Sequence, residues 1–141
     1  MRELPRKLSV EELAALFEGR TRFVEQLAEL DDPLGRARAL ARTLSPEEQK
    51  AVLDAHPAIG ATQLSARSAA EQGGDSVPEL AELNRRYEQR FGFRFVVFVN
   101  GRPKRELVPI LEARLERTPA EELATALDEL VAIAEDRWQR S

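Results

Sequence analysis

Residues 118–134, which read TPAEELATALDELVAIA, carry a pattern from which the fold class can be predicted. It begins with a capping box, in which the Thr118 hydroxyl can accept from the amide of Glu121 while the Glu121 carboxylate reaches back to the amide of Thr118. Its apolar residues then recur every third or fourth position, on one face of a helix: Leu123, Leu127, Leu130, Ile133 and Ala134. The stretch therefore predicts a helix with one face to bury.

The same kind of helix start recurs along the chain. Three further capping boxes are Ser9-Val10-Glu11-Glu12, Ser45-Pro46-Glu47-Glu48 and Ser76-Val77-Pro78-Glu79, while Asp32-Pro33 is another start and Thr21 a weaker one. Apolar residues at helical spacing follow several of these starts: Phe23, Val24, Leu27, Leu30, and then Leu80, Leu83, Tyr87 and Phe91. Because the connections are short and rich in Gly, Pro and Asp, we predict an all-α fold, a compact single-domain bundle of about eight helices over residues 1–141.

One segment departs from the helical pattern. Residues 93–99, which read FRFVVFV, are aromatic and β-branched, and Asn100-Gly101 after them is a turn signal. No second stretch of the sequence looks like a strand that could pair with their backbone groups. We therefore predict one buried extended segment, which either hydrogen-bonds a ligand through its backbone or belongs to the core with no ligand role.

Composition narrows the classes of function. The chain contains one histidine and no cysteine, which excludes disulfides and does not supply the zinc sites familiar from other proteins. A net charge of −4 argues against general nucleic-acid binding, and we interpret the basic cluster Arg36, Arg38 and Arg42 as a solvated helix face. Because no apolar run could span a bilayer and the N-terminal residues lack a secretory signal pattern, we expect a cytoplasmic protein.

His56, the only histidine, is the first candidate for chemistry. Pro57 follows it and biases it away from helical dihedrals, so we expect it at the end of the helix that begins at Ser45. A side chain at such a junction can face a cleft, and imidazole can transfer a proton near neutral pH. The alternative is an incidental histidine with no catalytic role.

A second candidate is the polar group Ser68, Glu71 and Gln72. On a helix their spacing puts them on one face, where they offer a hydroxyl, a carboxylate and an amide. Gly73-Gly74 would end any helix just after them, so we interpret them as the polar face of a helix that ends here rather than as a capping box. On spacing alone, a ligand role and a purely structural role both stay open.

The arginines are too numerous for any one to stand out by its chemistry. We interpret most of the following as surface residues: Arg85, Arg86, Arg90, Arg94, Arg102, Arg105 and Arg137. Pro109 falls within a stretch that otherwise looks helical, residues 104–117. Since an interior proline costs about 3 kcal/mol, we expect the helix to kink or to start there.

Three motifs taken together resemble one family. They are Ala55-His56-Pro57-Ala58-Ile59-Gly60, then Ser68-Ala69-Ala70-Glu71-Gln72-Gly73, and then Leu83-Asn84-Arg85-Arg86-Tyr87 leading into Arg90-Phe91-Gly92-Phe93-Arg94-Phe95-Val96-Val97. In their order and spacing the chain resembles the 2-oxo-4-hydroxy-4-carboxy-5-ureidoimidazoline (OHCU) decarboxylases, from about Leu13 to Trp138. The resemblance implies an all-helical enzyme of uric acid degradation that forms (S)-allantoin with neither a metal nor an organic cofactor.

The resemblance also implies site residues. The family's catalytic histidine falls on His56, and its Glu-Gln pair falls on Glu71 and Gln72. The family's substrate contacts fall on the following residues: Pro57, Ser68, Ala69, Ala70, Glu71, Gln72, Phe95, Val96, Val97, Phe98, Val99 and, near the end of the last helix, Arg137. His56 would orient or deprotonate the 4-hydroxyl of the substrate, while Glu71 and Gln72 would grip its ureido and ring groups. The implied partner is this small molecule, with neither nucleic acid nor membrane, and a homodimer is left open.

The chain departs from the family pattern at three places. Ala58 stands where a charged residue commonly follows the His-Pro pair, and Phe98 stands where a smaller residue is usual. The family's N-terminal Ser-Pro-Trp segment is not recognisable in residues 19–23. Two alternatives therefore stay open, namely a paralogue that acts on a related ureide and a non-catalytic helical binding or regulatory domain on the same scaffold.

Overall fold

A computed structural model describes residues 3–56 and 78–140, and the chain folds there into seven helices. They are α1 (Val10–Phe17), α2 (Arg22–Ala28), α3 (Pro33–Thr43), α4 (Pro46–Asp54), α5 (Pro78–Phe91), α6 (Lys104–Leu115) and α7 (Pro119–Gln139). No strand occurs in these two ranges, and the predicted all-α class is confirmed. Of the roughly eight helices expected, the one ending at Gly73-Gly74 lies outside the described residues. Within the described part, no helix is long and apolar enough to cross a membrane.

Five helices, α1, α2, α3, α4 and α7, begin where the capping signals predicted, while Ser76 of the remaining capping box lies outside the described residues. At α1, the Ser9 hydroxyl accepts from the Glu12 amide at 3.1 Å, and the Glu12 carboxylate accepts from the Ser9 amide at 3.0 Å. Thr118 and Glu121 form the same reciprocal pair at α7. Ser45 caps α4 through the Glu48 amide, but the Glu48 carboxylate accepts from the Ser45 hydroxyl instead of its amide, so this box is only half formed.

Helix α7 lies at the centre of the packing. It contacts α1, α3 and α4, while α5 packs against α6. The predicted apolar face of α7 is buried along most of its length: Leu127, Leu130, Ile133 and Ala134. The basic cluster of α3 lies on an exposed face, as interpreted, where Arg38 pairs with Glu135 at 2.8 Å and Arg42 pairs with Asp128 at 3.1 Å. Exposed pairs of this kind contribute about 0–1 kcal/mol each, so burial of apolar side chains dominates the stability.

Helix α6 runs through Pro109 without ending or restarting there. Of the two outcomes expected for Pro109, a kink or a new helix start, the second does not occur. Leu107 and Leu111, on either side of the proline, are fully buried, and their burial offsets the cost of the hydrogen bond that proline cannot make.

Residues 93–99 form the predicted extended segment, which pairs with no strand among the described residues. Most of its side chains are buried: Phe93, Phe95, Val96, Val97 and Val99. Its rings pack on α5, because the Tyr87 ring lies 5.2 Å from the Phe95 ring and 5.9 Å from the Phe93 ring. The predicted turn follows, with Asn100 and Gly101 both at positive φ. This packing fixes the segment beside α5, where its backbone is available to the site.

Candidate active site

His56 lies directly after α4, where the sequence placed it. Its amide donates to the Leu53 carbonyl at 3.1 Å, so the chain leaves the helix through one tight turn. The residue is only 4% exposed, and its Nε2 atom has no hydrogen-bond partner within the two described ranges. Leaving a buried polar atom without a partner costs about 1–3 kcal/mol. Such an atom is a candidate to bind a ligand group that supplies the missing partner.

Three charged side chains surround the imidazole of His56, each from a different element. They are Arg137 on α7, Glu18 at the end of α1 and Arg94 on the extended segment. The pKa of His56 is lowered from 6.5 to about 4, first by burial, then by the charge of Arg137 and also by that of Arg94, while the Glu18 carboxylate opposes them. The imidazole is therefore neutral near pH 7 and can accept a proton or a hydrogen bond.

Arg137 is tied to the end of α1. Its Nη1 atom donates to the Leu16 carbonyl at 3.0 Å, and its Nη2 atom lies 3.0 Å from the Glu18 carboxylate. Glu18 ends α1 in the left-handed conformation, with φ of 64°. Because Arg137 is 3% exposed, its charge is taken out of water, and the pairing with Glu18 offsets that cost. The pair joins α1 to α7 beside His56.

The ends of α1 and α4 meet at Gly19. A Cβ atom built on Gly19 would lie 3.1 Å from the Cβ of Ala55, the residue before His56. Glycine therefore permits a close approach that any larger residue would push apart. This contact brings Glu18 and His56, one residue from the meeting point on each chain segment, into the same region.

Arg94 connects His56 to the extended segment. The main-chain amide of Arg94 donates to the Asp54 carboxylate at 3.1 Å. Its guanidinium Nη1 donates to the main-chain carbonyls of Asp54, at 3.2 Å, and of His56. Its Nε donates to Glu88 of α5 at 3.1 Å. One residue therefore links the end of α4, the extended segment and α5.

A buried polar network holds the middle of the extended segment. Arg114 donates to the Val96 carbonyl at 2.9 Å and to the Glu122 carboxylate at 2.7 Å. The same Glu122 oxygen accepts from the Tyr87 hydroxyl at 2.6 Å, and its other oxygen lies 2.9 Å from Arg117. Burial raises the pKa of Tyr87 well above its ordinary range, so the phenol keeps its proton and donates.

Sequence analysis did not single out Arg114 or Glu122. A signal was present for Glu122, because helical spacing places it on the same face of α7 as Ala126 and Leu130, both of which are fully buried. A carboxylate on a buried helix face requires a cationic or hydrogen-bonding partner, and Arg114 is that partner. This pair holds the extended segment in place, and neither of its two residues was predicted from the sequence.

The predicted site residues fall into two groups. Among the described residues, the structure places Arg137 near His56 and links His56 to residues 95–99 through Arg94. The other predicted residues lie outside the described part of the chain: Pro57, Ser68, Ala69, Ala70, Glu71 and Gln72.

The extended segment is only partly occupied by protein contacts. The carbonyls of Val96, Phe98 and Val99 accept from arginine side chains, and the Phe98 amide donates to Glu129 at 3.4 Å. In contrast, the main-chain groups of Phe95 and Val97 make no hydrogen bond within residues 3–56 and 78–140. The main-chain groups of these two residues are therefore available for further hydrogen bonds.

The side chains of the described residues also bear on whether this region could hold a metal ion. Within residues 3–56 and 78–140, no three His, Cys, Asp or Glu side chains come together as metal ligands. The polar groups around His56 are instead arginines, a carboxylate paired with one of them, and main-chain carbonyls. A buried, neutral imidazole with an open nitrogen can act as a general base, so the described residues offer the chemistry of proton transfer.

Comparison with known proteins identifies the family to which the chain belongs. Residues 2–139 match the model of the family described as OHCU decarboxylase. The chain belongs to the OHCU decarboxylase family. The prediction of a decarboxylase of uric acid degradation is confirmed at this level.

Curated relatives span several kingdoms of life. The chain is 31% identical over 127 residues to an OHCU decarboxylase of Haloferax volcanii, covering 84% of this chain and 76% of that protein. It is 32% identical over 119 residues to a protein of Homo sapiens named a putative OHCU decarboxylase, covering 75% of this chain and 69% of the human protein. A uric acid degradation bifunctional protein of Bacillus sp. is 29% identical over 143 residues, and the match spans only 28% of that protein.

Solved structures agree in fold. A crystal structure of an OHCU decarboxylase in the presence of (S)-allantoin superposes with a TM-score of 0.74 at 27% identity, covering 89% of this chain and 94% of that one. An (S)-allantoin synthase structure superposes with a TM-score of 0.67 at 22% identity, covering 91% of this chain and 47% of that one. The second likeness is evidence for the fold alone.

Proposed function

We propose that this chain decarboxylates OHCU to (S)-allantoin, with His56 as its central catalytic residue and with no metal or organic cofactor. The observation that carries the proposal is the buried Nε2 of His56, which has no hydrogen-bond partner in the described part of a chain of this family. A crystal structure of a family member in the presence of (S)-allantoin supports the choice of product.

The protein has two tasks in this reaction, which are to position the substrate and to move the proton of its 4-hydroxyl. When the carbon–carbon bond to the carboxylate breaks, CO2 leaves and the electron pair stays on the ring, where the adjacent imine and carbonyl delocalise it. The 4-hydroxyl then loses its proton as it becomes a carbonyl of the product, the neighbouring ring carbon gains a proton, and the former imine nitrogen takes one further proton from water, which balances the negative charge of the lost carboxylate. A neutral imidazole can accept the first proton, and the imidazolium that forms holds a proton for the second step.

The state of His56 suits the first half of this cycle. With a pKa of about 4, the imidazole is almost entirely neutral near pH 7, so Nε2 can accept a hydrogen bond or a proton from the substrate hydroxyl. A histidine that was already protonated could not perform this step. The charges of Arg137 and Arg94 favour the neutral imidazole and at the same time favour an anionic substrate nearby.

The remaining groups of the substrate require donors and acceptors. The free main-chain groups at Phe95 and Val97 offer one amide and one carbonyl each, which match the alternating N–H and C=O groups of a ureide. In this proposal Arg137 contacts the substrate, and Pro57 and residues 68–72 complete the site. Within that stretch Glu71 and Gln72 act on the ureido and ring groups.

The test is turnover of freshly made substrate. Urate is oxidised and the product hydrolysed to OHCU, whose ultraviolet signal is followed with and without the protein. We expect faster decay with the protein and a product with the circular dichroism of (S)-allantoin. A decay rate equal to that of the buffer control contradicts the proposal and favours the paralogue or the non-catalytic binding domain.

The proposal also covers the extent of the domain, its location in the cell and its oligomeric state. We treat residues 1–141 as one catalytic domain that acts on a small molecule in the cytoplasm, as a monomer or a homodimer. Measurement of the molecular mass in solution distinguishes the monomer from the homodimer.

A further inference from the structure

Arg94 is distinguished by the place at which it binds. Its guanidinium reaches two main-chain carbonyls at the end of α4, those of Asp54 and His56, while its own amide binds the Asp54 carboxylate. Exposed Arg42 instead pairs with the Asp128 carboxylate on the surface. Arg94 contacts the main chain of His56 directly.

We propose that Arg94 is a positioning residue, which holds His56 and the extended segment in one fixed arrangement so that both meet the same ligand. The catalytic part of this inference rests on the proposed function above. Arg94 acts through other groups, since its contacts within the described part of the chain are to Asp54, His56 and Glu88.

The geometry favours arginine at this position for a physical reason. The last carbonyls of a helix have no partner within the helix, and a cation at the carboxyl end of a helix is also favoured by the helix dipole. Arginine's planar fork reaches two elements at once, since Nη1 donates to both carbonyls at the end of α4 while Nε donates to Glu88 of α5, whereas lysine brings a single point of charge. The link between α4, the extended segment and α5 therefore depends on the shape of the guanidinium as well as on its charge.

The contacts of Arg94 affect the site because Arg94 is adjacent in the chain to Phe95 and binds the main chain of His56. Phe95, whose main-chain groups are free in the described part of the protein, is the residue next to Arg94. The His56 carbonyl that Arg94 binds belongs to the same residue as the open Nε2. Fixing Arg94 to α4 thus fixes the distance between the two places where the substrate is held. A displacement of about 1 Å at such a site can cost on the order of 100-fold in rate.

The contact between Arg94 and Glu88 does not explain the arrangement by itself. The two side chains are 29% and 42% exposed, and pairs that reach solvent in this way contribute about 0–1 kcal/mol. A purely structural role through Glu88 would leave the ring of His56 unchanged when Arg94 is replaced. A positioning role would not, and this difference is the basis of the test.

The first measurement needs no substrate. Because His56 is the only histidine, the imidazole C–H signals in a proton NMR spectrum report this residue alone. Among residues 3–56 and 78–140, the charged groups that face it are Arg94, Arg137 and Glu18, and of these only Arg94 is changed. We expect Arg94→Gln to shift the imidazole signals and to raise the titration midpoint above the wild-type value of about 4, because a nearby positive charge is lost.

Two further variants separate charge from shape. Arg94→Lys keeps the charge but loses the fork, so we expect shifted imidazole signals with a midpoint that stays low. Arg42→Gln removes one arginine charge from an exposed pair on α3, so we expect neither the signals nor the midpoint to move. Imidazole signals that are identical in Arg94→Gln and wild type overturn the proposal, whatever the activity.

The second measurement is kinetic. We expect kcat to fall by about 10- to 100-fold in both Arg94 variants, with KM changed by less than about 3-fold, because misplacement affects the chemical step more than binding. Wild-type kcat in Arg94→Lys overturns the role of the fork. If the wild-type protein itself turns over no OHCU, the proposed function fails, and the NMR measurement still decides whether Arg94 positions His56. Thermal melts confirm that each variant compared is folded.

Discussion

The guanidinium of Arg137 lies 3.0 Å from the carboxylate of Glu18, and the two side chains are only 2% and 14% exposed. A pair so far from water is costly to break, because the remaining partner becomes an uncompensated buried charge. The pair also stands beside His56, where the two charges act in opposite directions on the imidazole pKa. Stability and proton affinity are therefore coupled at this point of the fold.

Replacing Glu18 should reveal this coupling. We expect Glu18→Gln to lower the free energy of unfolding by on the order of 3 kcal/mol, because the buried charge of Arg137 loses its anionic partner. The matched control is Glu11→Gln on the same helix, since Glu11 and Arg20 form an exposed pair at 3.8 Å whose loss should cost less than about 1 kcal/mol. Urea unfolding measures both, and equal effects in the two variants would contradict the buried pairing.

Gly19 should tolerate no larger side chain unless Ala55 becomes smaller. A Cβ on Gly19 meets the Ala55 Cβ at 3.1 Å, so Gly19→Ala should destabilise the protein by about 1–3 kcal/mol and reduce turnover by displacing the residue before His56. Adding Ala55→Gly removes the opposing atom, and the double variant should be more stable than the sum of the two single changes predicts. Strict additivity in urea unfolding would show that the two sites do not press on each other.

Acid should destabilise the folded state through His56. The folded pKa of about 4 lies below the value of 6.5 expected for the unfolded chain, so between these pH values the unfolded state binds a proton that the folded state does not. Stability is therefore fully retained above about pH 6.5 and is lost as the pH falls towards 4, by about 3 kcal/mol. Unfolding of wild type and His56→Asn across this window isolates the effect, because the carboxylates titrate in both proteins. Parallel curves would refute the lowered pKa.

His56→Asn should fold and lose most of the catalysis. Asparagine preserves part of the hydrogen bonding of a neutral imidazole but cannot exchange a proton, so we expect a loss of about 10²–10⁴-fold in kcat. In the wild type, kcat/KM should be flat near neutral pH and fall as the pH drops through about 4, where the base becomes protonated. That limb should be absent in the variant. Near wild-type turnover by a folded His56→Asn would falsify the central role of this histidine.

Turnover should survive removal of metal ions. One histidine and no cysteine do not supply the ligands of a typical transition-metal site. We therefore expect the rate of OHCU decay to be the same after dialysis against EDTA. Loss of activity that added zinc or magnesium restores would show that the reaction depends on a metal.

The fold was largely predictable because its signals are local. Thr118 and Glu121 set the start of α7 within one turn, and the β-branched run at residues 93–99 followed by Asn100-Gly101 marked the extended segment. The position of His56 after α4 followed from the proline that comes next. Each of these inferences needs only neighbours in sequence.

The supporting arginines could not be predicted in the same way. Arg94 is separated from the His56 carbonyl by 38 positions, and Arg114 is separated from the Val96 carbonyl by 18. A main-chain carbonyl exists at every residue, so nothing in the sequence marks which ones an arginine will bind. For Glu71 and Gln72, which lie outside the described residues, the assignment stays a prediction from the resemblance.

The extended segment takes its hydrogen bonds from side chains where a sheet would supply a neighbouring strand. Arg114 binds the carbonyl of Val96, and Arg102 binds the carbonyls of the last two residues of the segment. Backbone pairing between strands tolerates almost any sequence, but pairing to arginine depends on that residue's identity. The path of this backbone therefore depends on the identity of two residues, and related chains with other residues at positions 102 and 114 should differ in the path of the extended segment.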